Sequence, residues 1–155
     1  MNLASLLSKE RINLHIKSTK KDDIITDLVY QIKKGSDAEL IIHTLLKREE
    51  LGSTGIGKGI AIPHCRSLAV DKLEIAVGRT AKPVNYNAID KKPVGLFFLI
   101  IAPPQDPGNQ YLITLGKIVQ IAKELTKKNN LDELKTADEF IAMINVVEKD
   151  LAKRK

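Results

Sequence analysis

The chain has 155 residues, 43% apolar and 28% charged, with a formal charge of +6, and a chain of this size buries roughly two thirds of the surface its unfolded form exposes, so a single domain over 1–155 is expected. Cys65 is the only cysteine, which excludes an internal disulfide and a thiolate zinc cluster, and nothing in the composition calls for a cofactor or a metal. No apolar run approaches the roughly 20 residues that span a bilayer, and Met1–Lys9 lacks the basic leader and long apolar stretch of a secretory signal, so no membrane insertion and a cytoplasmic location are expected.

The positive charge is concentrated in Lys117, Lys123, Lys127 and Lys128, and in a short basic C-terminal tail near 149–155 that holds Lys149, Lys153, Arg154 and Lys155. Such a surface suits an acidic protein partner and also keeps a small protein in solution. No zinc-finger spacing occurs, and with no Trp and three Phe there is little material for stacking bases, so nucleic acid is not the expected partner.

In chain order, Ile12, Leu14 and Ile16 alternate with polar residues and predict a short strand. Thr19 with Asp22 predicts the start of a helix whose apolar stripe is Ile24, Ile25, Leu28, Val29 and Ile32, and Gly35 is expected to end it. Ser36 with Glu39 forms a second capping-box pattern, opening a helix through Leu40, Ile41, Leu45 and Leu46 toward Gly52.

The segment Gly52–Arg66 has a different texture. Glycines at 52, 55, 57 and 59 permit backbone angles that other residues reach only at a cost, and Pro63 biases Ile62 toward an extended conformation. A ligand-facing loop beside a strand end is the expected structure. Leu73, Ile75 and Val77 then alternate, predicting a strand over Leu73–Thr80. Val94–Ala102 is nearly all apolar, as a central strand covered on both faces would be. After the turn-rich stretch 103–109 a helix is predicted to bury Leu112, Leu115, Val119, Ala122 and Leu125. The capping pair Thr136 and Glu139 opens a last helix that offers Phe140, Ile141, Ile144 and Val147. Strands separated by helices predict a layered α/β fold with a central mixed sheet and flanking helices.

Three histidines occur. His15 in an alternating stretch and His43 in a helical one read as structural or surface residues. His64 follows glycines and a proline and precedes Arg66 by two positions. A neutral imidazole is a nucleophile near physiological pH when its second nitrogen is oriented by a hydrogen bond. The charge of a transferring phosphoryl group can be met by the Arg66 guanidinium, the Ser53 and Thr54 hydroxyls, and the amides around Gly55, Gly57 and Gly59. The spacing fits neither a P-loop, because Lys58 is followed by Gly59 and Ile60, nor a dinucleotide fingerprint, because the glycines are evenly spaced.

The run Arg48–Arg66, ending in Pro63-His64-Cys65-Arg66, resembles the active-site signature of the fructose/mannitol-type enzyme IIA family of the bacterial sugar phosphotransferase system, in particular its nitrogen-related regulatory branch. The likeness continues through Val84, Ala88, Ile89 and Asp90 into Val94–Ala102. It implies a phosphocarrier in which His64 accepts a phosphoryl group from a histidine-containing phosphocarrier protein. It also implies onward transfer to a IIB domain or control of a target protein, and contact of Arg48 with phosphate or partner. Two positions depart from the family pattern: Cys65 stands where glycine is common, and Tyr111 stands where histidine commonly precedes leucine and orients the active histidine. A phenol can hydrogen-bond but does not become a cation near neutral pH, so Tyr111 bears on onward transfer and leaves open a fold-retaining interaction protein that no longer cycles phosphate.

Overall fold

The computed structural model describes residues 2–128 and 131–154, and therefore not the charge at Lys155. In chain order the elements are α1 (Leu3–Leu6), β1 (Ile12–Ile16), α2 (Lys21–Tyr30), α3 (Gly35–Leu51), β2 (Gly55–Gly57), β3 (Ile60–Ala61), β4 (His64–Arg66), β5 (Glu74–Val84), β6 (Val94–Ala102), α4 (Gln110–Lys128) and α5 (Ala137–Lys153), with 3₁₀ turns at Lys9–Arg11 and Leu131–Glu133. The six strands form one mixed sheet in the order β1-β5-β6-β3-β2, with β4 also paired to β6. β1 runs parallel to β5, β5 antiparallel to β6, and β3 and β4 parallel to β6. The expected layered α/β architecture is therefore present.

Helices cover both faces of the sheet. One apolar cluster joins Ile75, Val77, Phe98 and Ile100 to Leu3, Ile118, Leu125, Phe140 and Ile144, under α1, α4 and α5. The other joins Ala76, Phe97, Leu99 and Ile101 to Ile24, Leu28, Ile41 and Leu45, under α2 and α3. This double cover explains the nearly unbroken apolar run of β6, since a strand buried on two faces has no solvent side on which to place polar residues.

Several element boundaries differ from the sequence reading. The caps predicted from Thr19 with Asp22 and from Ser36 with Glu39 do not form: the residues before α2 and α3 are Lys20 and Lys34, with no side-chain cap bond. Gly35 opens α3 with φ +64° rather than simply closing α2, since the reversal between the two helices needs a left-handed residue. Of the third box the Thr136 half forms, with Glu139 N–H donating to Thr136 Oγ1 at 3.1 Å, while the Glu139 carboxylate accepts from the N–H of Lys135, one residue before the cap, at 3.2 Å. β5 begins one residue after Leu73 and continues to Val84. Lys149 and Lys153, expected in a tail, are helical residues of α5.

The buried face of α4 keeps Ala122 and Leu125 of the expected stripe, with Leu115 and Val119 packed partly buried against the core, and departs from it at Leu112. Tyr111, Thr114, Ile118, Ile121 and Leu125 point inward, and Leu112 is 55% exposed. Leu40 on α3 is likewise about half exposed. The three- and four-residue spacing selects one of two overlapping apolar stripes in α4, and the β6 surface fits the one that begins at Tyr111.

Candidate functional site

His64 lies on the edge of the sheet in a short strand, where a loop was expected. Ile60 pairs with Leu96 and His64 with Ile100, so β3 and β4 are two parts of one line beside β6 that keeps its register across Ile62 and Pro63, covered by β2 along β3 and forming the edge along β4. Pro63 has no N–H to give, and an edge position is where a sheet tolerates that loss. Its carbonyl still accepts from Ile100 N–H at 3.0 Å, and Ile62 N–H turns outward to Thr54 O at 2.9 Å.

Strand alternation then sorts the side chains. Ile60 and Ile62 belong to the core under α4, whereas Ala61 and Cys65 belong to the core under α3. By the same two-residue period His64 and Arg66 share the α4 side and Cys65 faces the other way. Cys65 is 7% exposed, and burial pushes its thiol up to about 12.

His64 Nδ1 is 2.7 Å from the Ile62 carbonyl oxygen. A carbonyl only accepts, so this contact is a hydrogen bond only with the proton on Nδ1, which leaves the lone pair on Nε2. The imidazole is half-buried and lines a cleft of about 350 Å³ together with Thr44 and Arg48 of α3, Cys65 and Arg66 of β4, and Tyr111, Leu112 and Leu115 of α4. The Tyr111 ring stands 5.9 Å from the His64 ring at 57°, and the Arg66 guanidinium lies 4.6 Å over the other ring of that pair, Tyr111. Burial, followed by the nearby Cys65, raises the Tyr111 phenol to about 12, so it is neutral at physiological pH.

Both cleft arginines hold backbone carbonyls. Arg48 donates to Gly52 O at 2.9 Å, closing the end of its own helix, and Arg66 donates to Pro103 O at 3.0 Å. Arg66 Nη1 is also 3.7 Å from Asp106 Oδ2. Asp106 escaped the sequence reading, although an aspartate shortly before a helix is a recognisable capping signal.

The remaining sequence candidates lie outside the cleft lining. Ser53 donates to Tyr86 O at 3.0 Å and accepts from Gly55 N–H. Thr54 is 5% exposed; its hydroxyl binds the Glu49 carboxylate, and its N–H donates to the same carboxylate at 3.1 Å. Lys21 pairs with Glu49 at 2.7 Å, and Tyr86 Oη donates to Glu49 at 3.2 Å. Together these bonds tie the start of α2, the end of α3 and the signature segment into one buried network. Gly57 (φ +99°) and Gly59 (φ +81°) bend the β2–β3 hairpin, and Gly55 packs so closely that a Cβ there would meet Ala88 Cβ at 2.6 Å. His15 and His43 are exposed.

Known proteins share the sequence pattern and the fold of this chain. The model of the family described as "Phosphoenolpyruvate-dependent sugar phosphotransferase system, EIIA 2" matches residues 5–147. A nitrogen regulatory protein of Pseudomonas aeruginosa is 33% identical over 150 residues, covering 95% of this chain and 95% of that protein. The fructose-specific EIIABC component of Bacillus subtilis is 33% identical over 148 residues, 94% of this chain but 23% of the larger protein. The crystal structure of nitrogen regulatory protein IIA-Ntr from Neisseria meningitidis superposes with a TM-score of 0.83 at 28% identity, covering 92% of this chain and 98% of that one. The chain thus belongs to the EIIA 2 family of the phosphoenolpyruvate-dependent sugar phosphotransferase system.

Proposed function

We propose that the chain is a cytoplasmic phosphocarrier whose His64 Nε2 takes a phosphoryl group from a histidine-containing phosphocarrier protein and yields it again, in a regulatory role. The observation that carries this reading is the Nδ1 contact to Ile62 O, which fixes the tautomer and aims a nucleophilic nitrogen in a cleft holding two arginines. In the transfer, the carrier's P–N bond breaks and its electron pair returns to the carrier nitrogen, while the Nε2 lone pair forms the new P–N bond. With a carrier ring that keeps its own N–H, ring charge passes with the phosphoryl group and no proton has to move. Nδ1–H then supports the positive ring through Ile62 O, and Arg48 and Arg66 are the cations available to the phosphoryl oxygens. Tyr111 orients the imidazole through ring contact.

The regulatory role is supported by the near full-length match to the Pseudomonas aeruginosa nitrogen regulatory protein. The equal identity to the fructose-specific EIIABC component supports the second reading, in which the phosphoryl group passes to a IIB domain and then to sugar. Incubation with phosphoenolpyruvate-charged carrier should add one acid-labile, base-stable phosphoryl group to the parent and none to His64→Ala. Subsequent incubation with a purified IIB domain separates the two roles: rapid loss of the label supports transport, and retention supports regulation.

A further inference from the structure

Asp106 connects the two side chains that flank His64. It lies in the loop between β6 and α4, and its carboxylate caps the helix: Oδ1 accepts from Gln110 N–H at 3.1 Å and Oδ2 from Tyr111 N–H at 2.9 Å. The same Oδ2 is the atom 3.7 Å from Arg66 Nη1. Its side chain is 9% exposed, so water screens it little, whereas that of Arg66 is 39% exposed and can leave.

We propose that Asp106 is a positioning residue that competes with the phosphoryl group on His64 for Arg66, and so keeps that group transferable; the inference rests on the carrier reading of His64. In the free protein, Asp106, Pro103 O and the Tyr111 ring draw Arg66 to the α4 side of the cleft. A phosphoryl group on Nε2 brings a dianion into the same space and draws Arg66 toward itself. Asp106 then loses its ion pair with Arg66 but keeps both amide donors, so its oxygens stay hydrogen-bonded while the lost pairing sets the cost of the exchange. The attraction between Arg66 and the phosphoryl group is thereby offset by the attraction to Asp106 that Arg66 gives up. A carrier requires that balance, since a group held by an unopposed guanidinium would be accepted readily and released slowly.

The test is the equilibrium of phosphoryl exchange with purified, phosphoenolpyruvate-charged histidine-containing carrier. Asp106→Ser retains an uncharged oxygen that can cap α4, and Asp106→Asn retains the side-chain shape and one acceptor oxygen. Each should shift the equilibrium toward phosphorylated His64 by about fivefold, the scale of a partly exposed ion pair, and slow the return of phosphate to the carrier. In an Arg66→Gln background the same substitutions should produce no shift. Helix capping alone predicts the opposite pattern: lower melting temperature, no rise in phosphorylation, and the same loss whether or not Arg66 is present. A parent that takes up phosphate while both variants stay within about twofold of it, or a shift that survives Arg66→Gln, overturns the role of Asp106 alone. A parent that takes up no phosphate overturns the carrier reading and this inference together. If Asp106→Ser does not fold, Asp106→Asn decides.

Discussion

Tyr111 meets His64 through its ring, with centroids 5.9 Å apart, and the Arg66 guanidinium lies over the same ring. Tyr111→Phe keeps both contacts, so its single-turnover phosphorylation should stay within about twofold of the parent. Tyr111→Leu loses the ring contact that orients the imidazole, and an aromatic contact of about 0.5–1.5 kcal/mol corresponds to a several-fold slower reaction. Tyr111→His should add a second titrating imidazole beside His64 and so change the pH profile near neutrality, because the phenol it replaces, raised to about 12, does not titrate there. Equal pH profiles for parent and Tyr111→His would show that position 111 does not act on the site. Cys65 raises a separate consequence: its thiol at about 12 in the fold and about 8.5 when unfolded makes the unfolded state bind fewer protons at alkaline pH. Its contribution is therefore full below about pH 8.5 and is lost as pH climbs toward 12, so Cys65→Ala should flatten the alkaline fall in unfolding free energy. Iodoacetamide should spare the native thiol at about pH 8 and label it only with unfolding; rapid native labelling would contradict the burial.

At the scale of elements, the Glu49 network holds the signature segment in place. Glu49→Ala leaves Lys21 and the Thr54 amide without their carboxylate and should cost about 3 kcal/mol in urea unfolding, as removal of one partner of a buried ion pair does. A loss under about 1 kcal/mol would mean that the network is not fastening these elements together. Gly55→Ala should cost about 1–3 kcal/mol through the clash with Ala88. These residues mark where the sequence is and is not legible. Val94–Ala102 and Thr136–Glu139 are readable because burial on two faces and a side-chain helix cap each leave a local pattern. The glycines at 55, 57 and 59 suggest a phosphate cradle, but glycine records only that a backbone position is demanding, and here the demand comes from a hairpin and from Ala88. Ser53 and Thr54 are ambiguous for the same kind of reason: a hydroxyl serves a buried carboxylate as well as a phosphate, and Glu49 and Tyr86 reach them only in the folded chain. Asp106 needs the fold to bring β4 beside the loop before α4, 40 residues on in the chain, before its contact with Arg66 exists at all.

For the whole molecule, the surplus of positive charge predicts association faster than chance encounter with an acidic partner face. Raising salt should slow association with the carrier while leaving transfer inside the formed complex nearly unchanged, because exposed charges are screened over about 8 Å at physiological ionic strength and the Nδ1–Ile62 contact is local. Rapid mixing over a salt series checks this, and a salt-sensitive internal step with salt-independent association would contradict it. The central claim, that His64 Nε2 bears the phosphoryl group, is tested most directly by ¹⁵N–³¹P correlation NMR on the chain after charging with phosphoenolpyruvate and the carrier system. The account predicts one phosphohistidine with phosphorus coupled to Nε2 of His64 and a proton retained on Nδ1. Phosphorus on Nδ1, on another residue, or on His64→Ala to the same extent would contradict it.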